Sequence, residues 1–340
     1  MLKVGIVGCG NHAHTHAEAI IHHPKFQFIA CVDVHEERAR AFANTYGIAN
    51  VYGSISDLVH EHIPDLVIIA AFPAIHAKLV KQAVAEGVKA VLCEKPLAMS
   101  LNEALEIQQF ADRHGAFVME GLMYRAHPQI SKASELVREG SIGEVKYIHG
   151  MFTDYMNDIS GNWRNDPQLG GGSMTAKGRY LVDACNLFSG SSAVSAFAIE
   201  SLDPLRQVEI GITGTIGYEN GVIGHIETNH RSSWREEIRI TGTKGTLIIP
   251  HAIVTKQQAR HILLECNGLY EFREVEREQF DFPVVNAYAL QLDAIYQSIK
   301  HGEQPSMPLA SSIDNYRVTD ALMRSAKSGR LEQVQWEVNG

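Results

Sequence analysis

Short and almost continuous apolar runs alternate with segments of helical spacing over the first 120 residues. In one helical segment, Ala13, Ala17, Ile20 and Ile21 form a single apolar stripe. Runs that are apolar at nearly every position are typical of parallel strands covered on both faces. These runs occupy residues 2–8, 26–33, 66–72, 90–94 and 116–120. Their alternation with helices predicts an α/β domain built on a doubly wound parallel sheet.

The hydrophobic pattern changes after Gly121. Helical spacing at 127–139 leads into long strand-like segments such as 144–155, and 308–328 has helical spacing again. Two segments predict hairpins: 209–230, which turns at Asn220-Gly221, and 236–250, which turns at "GTKG". Antiparallel strands suit a sheet with a site on one side and a subunit contact on the other. We therefore predict two domains, 1–122 and 123–340, the second for substrate binding and oligomerisation.

Composition and charge narrow the class of protein. The chain has 340 residues, which favours two domains over one, and it is 45% hydrophobic and 20% charged, as globular proteins are. Its net charge of −9 argues against nucleic acid as a partner. No apolar run approaches the about 18 residues of a membrane helix, and the start lacks the features of a signal peptide. Five scattered cysteines fit a reducing compartment, so we expect a cytoplasmic protein.

A glycine-rich turn follows the first predicted strand. Gly8 permits a tight turn, Gly10 permits close approach of a pyrophosphate, and Ala13 permits close packing of helix and strand. Asp33 ends the second strand, where an acid accepts hydrogen bonds from ribose hydroxyls. The pattern predicts a Rossmann dinucleotide site rather than a plain turn. Asp33 would repel a 2′-phosphate, so NAD is favoured over NADP, although Arg38 is close enough in sequence to reverse this preference.

Two histidines in this turn invite a metal interpretation. His12 and His16 are four residues apart, which places them on one helix face. No further ligand is evident in the sequence, and the segment lies where the pyrophosphate is expected. We predict no metal site here.

The strand at 90–94 ends in Glu94, Lys95 and Pro96. Ligands of open parallel sheets bind beyond the carboxyl ends of the strands, so Lys95 is expected to face the nicotinamide. Burial and the cationic ring would lower its pKa, which suits proton transfer to or from a substrate oxygen. The alternative is a surface lysine before a turn proline.

Six segments together resemble the Gfo/Idh/MocA oxidoreductases, the family of glucose-fructose oxidoreductase and inositol dehydrogenase. The segments are "GCGNHAHTH", "FPAIHA", "CEKP", "MYRAHP", "WRNDPQLGGG" and "AYALQLDAIYQSI". The resemblance implies a Rossmann domain followed by an α/β domain with a large, mostly antiparallel open sheet, in homodimers or homotetramers. It also implies hydride transfer at a secondary alcohol of a sugar, polyol or related compound.

The resemblance carries over to individual residues. Lys95 matches the catalytic lysine, and His16 matches a histidine on the first helix. The residues expected around the cofactor are Gly8, Gly10, Asn11, His12, Ala13, Asp33, Ala70, Phe72, Pro73, His76, Glu94, Lys95 and Arg164.

The segment "GGGSMTAKGRY" departs from the family pattern. In most relatives an Asp and, four residues later, a His follow the glycines; here Ala176 and Tyr180 occupy those positions, and Lys177 is an added charge. Tyrosine at this place resembles the glucose-fructose oxidoreductase and dihydrodiol dehydrogenase branches, but those branches keep the Asp.

These residues suggest a role for Tyr180 as the acid or base. A free tyrosine has a pKa near about 10, and Lys95 and Lys177 would stabilise its phenolate. Lys95, Tyr180 and Lys177 are therefore the catalytic candidates. One alternative has Lys177 and Arg179 solvated while Tyr180 packs by its ring. Another is a cationic pocket for a carboxylate or phosphate of the substrate.

Two further pairs are expected near the cleft between the domains. Trp163 and Arg164 precede the glycines, and Tyr124 and Arg125 follow the last Rossmann strand. We expect substrate contacts from Tyr124, Arg125, Trp163, Lys177 and Tyr180. Three functions stay open: a sugar or polyol dehydrogenase, a dihydrodiol- or aldose-type dehydrogenase that uses Tyr180, and a dinucleotide-binding regulator without catalysis.

Overall fold

Residues 1–156, 162–254, 259–266 and 275–336 are described by a computed structural model. The chain divides into two units: Met1–Ala126 with Asn286–Ile313, and His127–Val285 with Asp314–Gly340. This division differs from a single boundary after residue 122, because the segment from Asn286 to Ile313 belongs with the first unit.

The first unit contains a six-stranded parallel sheet. Its strands are β1 (Leu2–Val7), β2 (Phe26–Val32), β3 (Asn50–Tyr52), β4 (Leu66–Ile69), β5 (Ala90–Glu94) and β6 (Phe117–Gly121). The strand order is β3-β2-β1-β4-β5-β6, with every neighbouring pair parallel. This is the predicted doubly wound sheet. Every residue of β4 and β5 is buried, as expected for strands that helices cover on both faces.

Five helices connect these strands. They are α1 (Asn11–Ile21), α2 (Glu36–Tyr46), α3 (Ile55–Glu61), α4 (His76–Ala85) and α5 (Leu101–His114). Helix α5 begins with a capping box, in which the Ser100 hydroxyl accepts a hydrogen bond from the Glu103 amide at 3.2 Å. It ends at Gly115, which adopts a left-handed conformation.

The second unit contains a larger sheet. Its strands are β7 (Val145–Tyr155), β8 (Ala193–Leu202), β9 (Glu209–Tyr218), β10 (Ile223–Asn229), β11 (Arg231–Gly242), β12 (Gly245–Pro250), β13 (Arg260–Cys266), β14 (Glu276–Phe282) and β15 (Glu332–Gln333). Over the described residues the order is β14-β13-β12-β11-β7-β10-β9-β8-β15. Only β7 and β10 pair in parallel among these strands. The large, mostly antiparallel sheet is thus confirmed.

Both predicted hairpins of the second unit are present. Strands β9 and β10 pair antiparallel around the turn at Asn220 and Gly221. Strands β11 and β12 also pair antiparallel, and Thr241 lies opposite Thr246 next to their turn. The register places His225 of β10 beside His149 of β7.

Within the described residues, four α-helices follow α5. They are α6 (Pro128–Arg138), α7 (Arg179–Ser189), α8 (Ala287–His301) and α9 (Leu309–Ser328). One turn of π-helix, Met174–Gly178, runs directly into α7. Helix α7 covers one face of the larger sheet, where a Cβ on Gly150 of β7 would lie 3.1 Å from Leu181 Cδ2. No helix in the described part of the chain has the length and apolarity to cross a membrane.

Candidate active site

The turn after β1 has the geometry of a dinucleotide-binding turn. Gly8 has a φ of +91°, and its amide donates to the Val32 carbonyl at 2.8 Å. A Cβ on Gly8 would lie 2.8 Å from backbone atoms of Ala70 and Ala71. Both the backbone conformation and this close approach therefore require glycine.

Helix α1 begins with an end that suits an anion. Its N-cap is Gly10, no side chain caps the first turn, and that turn carries no acidic residue. A Cβ on Gly10 would meet no atom within 4 Å, whereas Ala13 is fully buried. Helix N-termini with free amide groups bind phosphates. The turn therefore fits the pyrophosphate of a dinucleotide, with Asn11 and His12 exposed at its edge.

Asp33 follows β2 and is held in place by backbone amides. Its carboxylate accepts hydrogen bonds from Cys9 N and His35 N, both at 2.9 Å. Arg38 Nε lies 3.2 Å from the same carboxylate, as an ion pair without hydrogen-bond geometry. Arg38 is the cation that the sequence analysis could not place, and it lies where a ribose substituent would be recognised.

Glu94 is the centre of a buried cluster beneath this turn. Its Oε1 lies 2.7 Å from His16 Nε2 and 3.1 Å from His12 Nε2, and its Oε2 accepts from Lys95 N at 3.2 Å. Burial opposes ionisation, but the two histidines outweigh it and hold the pKa of Glu94 well below its usual value. Tyr288 of α8 closes the cluster with its hydroxyl 3.3 Å from His12 Nε2.

The same cluster bears on the metal prediction. The donor atoms of His12, His16 and Glu94 all lie within 4.8 Å of one another. Glu94 is thus the third donor that the sequence did not reveal, because it lies 78 residues from His16. The short contact between His16 and Glu94 is accounted for as a hydrogen bond. The absence of a metal at this site stays a prediction.

The turn that carries Lys95 is fixed from two sides. His76 Nδ1 lies 2.7 Å from the Pro96 carbonyl, and its Nε2 lies 3.1 Å from the Ala71 carbonyl. Burial lowers the pKa of His76 despite these carbonyls. Glu120, which sequence reasoning missed, accepts from Leu97 N at 3.0 Å. These contacts give His76 and Glu120 positioning roles around the half-buried Lys95.

The remaining predicted cofactor residues of this region lie around the end of β4. Ala70 and Pro73 are buried, whereas Phe72 is 41% exposed. Their contacts with a cofactor stay predictions.

The two predicted substrate residues after β6 differ in exposure. Tyr124 is fully buried, whereas Arg125 is half-buried. The burial of Tyr124 does not support its predicted contact with a substrate.

In the second unit, the three glycines let the chain fold against the segment before them. Gly172 N donates to the Arg164 carbonyl at 3.0 Å. A Cβ on Gly171 would lie 2.5 Å from that carbonyl oxygen and 2.8 Å from the Asp166 carbonyl oxygen. Backbone atoms cannot give way as a flexible side chain can, so this approach requires glycine.

A carboxylate from a distant strand caps the start of the π turn. Glu209 of β9 accepts from Met174 N at 2.8 Å and from the Ser173 hydroxyl. Burial raises the pKa of Glu209, and these hydrogen bonds oppose the rise. The capping carboxylate supplies the negative charge that a helix N-terminus favours.

Lys177 is buried rather than solvated. Only 4% of its surface is exposed. Its Nζ donates to the Asp154 carboxylate, to the Asn229 carbonyl at 3.1 Å and to His230 Nδ1 at 2.9 Å. The alternative with a solvated Lys177 is therefore wrong, because β7 and the end of β10 provide a charged and polar environment for the ammonium.

The charges within this cluster are set by burial and by close partners. Burial lowers the pKa of Lys177, and Asp154 opposes this. Burial raises the pKa of Asp154, but bonds from His230 and Lys177 lower it below the usual value. Burial also lowers the pKa of His230. Nδ1 of His230 lies 2.9 Å from Lys177 Nζ and 3.1 Å from the Asp154 carboxylate, so through this nitrogen a neutral ring either accepts from the ammonium or donates to the carboxylate.

Arg179 is also buried, and it faces away from solvent. Its guanidinium carbon lies 3.9 Å from the centroid of the Tyr316 ring, and it is 6% exposed. The contact is a cation–π interaction. Arg179 therefore packs on α9, and the alternative with a solvated Arg179 is wrong.

Arg164 lies within electrostatic range of Tyr180. Burial lowers the pKa of Arg164, while the charges of Asp154 and of Tyr180 raise it. The guanidinium lies 4.7 Å from the ring of Trp163. Tyr180 itself is 5% exposed. The structure thus brings Arg164, Tyr180 and Lys177 together in the second unit, whereas Lys95 belongs to the first unit.

The fold and the turn after β1 define the class as a nicotinamide dinucleotide-binding oxidoreductase. Residues 2–122 match the model of an oxidoreductase family with an NAD-binding Rossmann fold, and residues 134–335 match its C-terminal alpha/beta domain. The chain belongs to this family, Gfo/Idh/MocA, as the sequence motifs predicted.

Among its relatives is D-xylose 1-dehydrogenase (NADP(+)) 2 of Haloferax volcanii. The two are 30% identical over 301 residues, which are 88% of this chain and 89% of the relative. Two crystal structures have the same fold at 23% identity. The aldose-aldose oxidoreductase of Caulobacter crescentus, complexed with glycerol, has a TM-score of 0.88 and covers 98% of this chain and 99% of its own. A 3-ketoreductase of Actinomadura kijaniata, with NADP and TDP-benzene, has a TM-score of 0.86 and covers 95% and 97%.

Proposed function

We propose that this protein transfers a hydride between a nicotinamide dinucleotide and a secondary alcohol or ketone of a sugar, polyol or related small molecule. Residues 1–122 would bind the dinucleotide, and residues 123–340 would bind the substrate and form subunit contacts. Dinucleotide binding is supported by the start of α1, which no side chain caps and which is open at Gly10. Action on a sugar-like substrate is supported by the names of the relatives.

The proton of the reaction is assigned to Tyr180, with Arg164 beside it. A bound nicotinamide dinucleotide takes up or supplies the hydride. During oxidation the phenolate of Tyr180 accepts the substrate hydroxyl proton, and during reduction the phenol returns it. The charge of Tyr180 raises the pKa of Arg164, so the two side chains are close enough for their charges to interact. Lys95 would polarise a substrate oxygen, and Trp163 would line the substrate site.

Lys177 has a supporting role in this proposal. Its ammonium is engaged by Asp154, Asn229 and His230, which opposes a cationic pocket for an anionic substrate. Its charge, with that of Asp154, would hold the start of α7 and hence Tyr180 in place.

Two variants test the mechanism. Lys95→Ala and Tyr180→Phe should each lower kcat by about 10²–10⁴-fold, the scale of acid–base catalysis, and leave dinucleotide affinity almost unchanged. Lys78→Ala and Tyr147→Phe, which change exposed side chains, are the controls. A Tyr180→Phe enzyme with full activity would refute the tyrosine mechanism. Dinucleotide binding without turnover of any sugar, polyol or diol in a panel would favour the regulator instead.

We also propose that NAD binds more tightly than NADP. Two backbone amides hold the Asp33 carboxylate in place, where it would repel a 2′-phosphate. Two observations favour NADP instead. Arg38 forms an ion pair with Asp33, and the Haloferax volcanii relative is named for NADP(+). Fluorescence titration with NADH and NADPH decides the question, and equal or tighter NADPH binding would contradict the proposal.

A cytoplasmic location and a homodimeric or homotetrameric state complete the proposal. The five scattered cysteines support a reducing compartment. Exposed apolar residues on the larger sheet, such as Tyr147 and Ile199, support a subunit contact. Light scattering of the purified protein tests the oligomeric state, and a monomer at working concentration would refute it.

A further inference from the structure

A second group of metal-binding side chains lies in the larger sheet, away from the proposed catalytic residues. His149 is on β7, and His225 and Glu227 are on β10. His149 and His225 are direct neighbours in the parallel register, and Glu227 is two residues further along on the same face. Three donor atoms from these residues lie within 4.8 Å of one another.

The donor distances are those of a tetrahedral site. His149 Nε2 lies 3.2 Å from Glu227 Oε1, and His225 Nε2 lies 3.4 Å from the same oxygen. A tetrahedral zinc ion with bonds of about 2.0–2.2 Å to nitrogen and oxygen separates its ligands by about 3.3–3.5 Å. Each imidazole is therefore spaced from the carboxylate as two ligands of one ion are, and an ion would replace the hydrogen bond between His149 and Glu227.

The ring of His225 is held so that Nε2 is available. Its Nδ1 lies 3.2 Å from the hydroxyl of Thr215, which is its neighbour on β9. A hydrogen bond at the other ring nitrogen is the usual support of a metal-bound histidine. The row Thr215, His225 and His149 crosses three adjacent strands, so a rigid sheet positions both imidazoles.

The exposure of the cluster leaves room for a further ligand. The side chains of His149, His225 and Glu227 are 39%, 38% and 35% exposed. The residues that alternate with them, Ile148, Gly150 and Ile226, are buried. In the single chain, an ion bound here would have protein on one side and an open coordination position on the other. Tyr147, two residues from His149 on this face, belongs to the proposed subunit contact, so the fourth ligand would come from water or from a partner chain.

We propose that His149, His225 and Glu227 form a Zn²⁺ site with two histidine ligands, one carboxylate ligand and one open position. A set of two histidines and one glutamate is a known zinc ligand set. The site is independent of hydride transfer, because none of its three residues has a part in the proposed reaction.

Calorimetric titration of the purified protein with Zn²⁺ tests the proposal, with Co²⁺ absorption as a second probe. We expect one ion per chain and the visible bands of tetrahedral Co²⁺. His149→Gln and His225→Gln should each weaken binding by more than about 100-fold, and Thr215→Val by about 10-fold, the lower end of supporting-contact effects. His261→Gln, on β13 of the same sheet, is the matched control.

Thermal unfolding without metal should be the same in all these variants, because the side chains are partly exposed. Activity with dinucleotide and sugar should also stay unchanged. Absence of zinc binding by the wild-type protein at micromolar concentrations would overturn the proposal. Binding that survives in the His149→Gln/His225→Gln double variant but is lost in His12→Gln would also overturn it, and would assign the ion to the cluster around Glu94.

Discussion

Replacing Asp154 with asparagine is expected to destabilise the second unit by leaving Lys177 buried without its counter-charge. Loss of one partner from a buried ion pair costs about 3–5 kcal/mol. The Asp154 side chain is 28% exposed, and the Asn229 carbonyl and His230 remain beside the ammonium. We therefore expect a loss of about 2–3 kcal/mol, below the full cost of such a deletion.

The matched comparison is Lys177→Met, which removes the charge that is almost completely buried. Its partner Asp154 is partly exposed and keeps His230 beside it, so this variant should lose about 1 kcal/mol or less. The Asp154→Asn/Lys177→Met double variant should be close to Lys177→Met alone, because the buried charge is then absent.

Thermal unfolding followed by circular dichroism at neutral pH measures these differences. A loss of 1 kcal/mol lowers Tm by about 2–4 °C in a domain of 150–250 residues, so Asp154→Asn should lower it by about 4–12 °C. Equal loss of stability in the two single variants would refute the reasoning. It would show that leaving the partly exposed Asp154 unpaired costs as much as leaving the buried Lys177 unpaired.

Three further predictions concern a glycine in close contact with the backbone, a buried histidine and a helix cap. Gly171→Ala should sharply reduce folded yield, because its Cβ would lie 2.5 Å from the Arg164 carbonyl oxygen, and expression as soluble protein measures this. Burial and the Arg260 charge lower the pKa of His127 to about 4. The folded state therefore resists protonation of His127, and about 3 kcal/mol of stability should be lost as pH falls from about 6.5 to 4. Urea titrations over this pH range measure the loss, and His127→Asn, which keeps a side chain able to cap the helix, should remove the pH dependence. Ser100→Ala should cost about 1 kcal/mol of unfolding free energy at the start of α5 and leave dinucleotide affinity unchanged.

The parts of the fold that repeat a strong local pattern were predictable from the sequence. Continuous apolar runs marked five strands of the parallel sheet, and Asn220-Gly221 marked a hairpin of the larger one. Strand β3 was not identified, because three half-buried residues carry no apolar run. The place of α8 in the first unit was also not predictable, since helical spacing does not identify the surface that a helix packs against.

The candidate site was predictable only where its residues are contiguous. Gly8, Gly10 and the segment around Lys95 lie within single turns, so their local pattern identifies them. The partners of Lys177 lie on other strands: Asp154 is 23 residues earlier in the chain and His230 is 53 later. Glu209 likewise caps its helix turn from 35 residues away. Such pairings come from sheet topology, which spacing alone does not reveal.

The chain returns to the first unit at residues 286–313 and to the second at Asp314, and this has a consequence for synthesis on the ribosome. The first 126 residues emerge without α8, whose Tyr288 closes the cluster around Glu94 and the two histidines. The second unit likewise lacks Asn315, whose side chain donates to Asp183 of α7 at 2.7 Å. Neither unit is complete until the last tenth of the chain is made. A nascent chain that stops at residue 285 would therefore leave two unfinished units for chaperones to protect, rather than one finished domain and one unfinished domain.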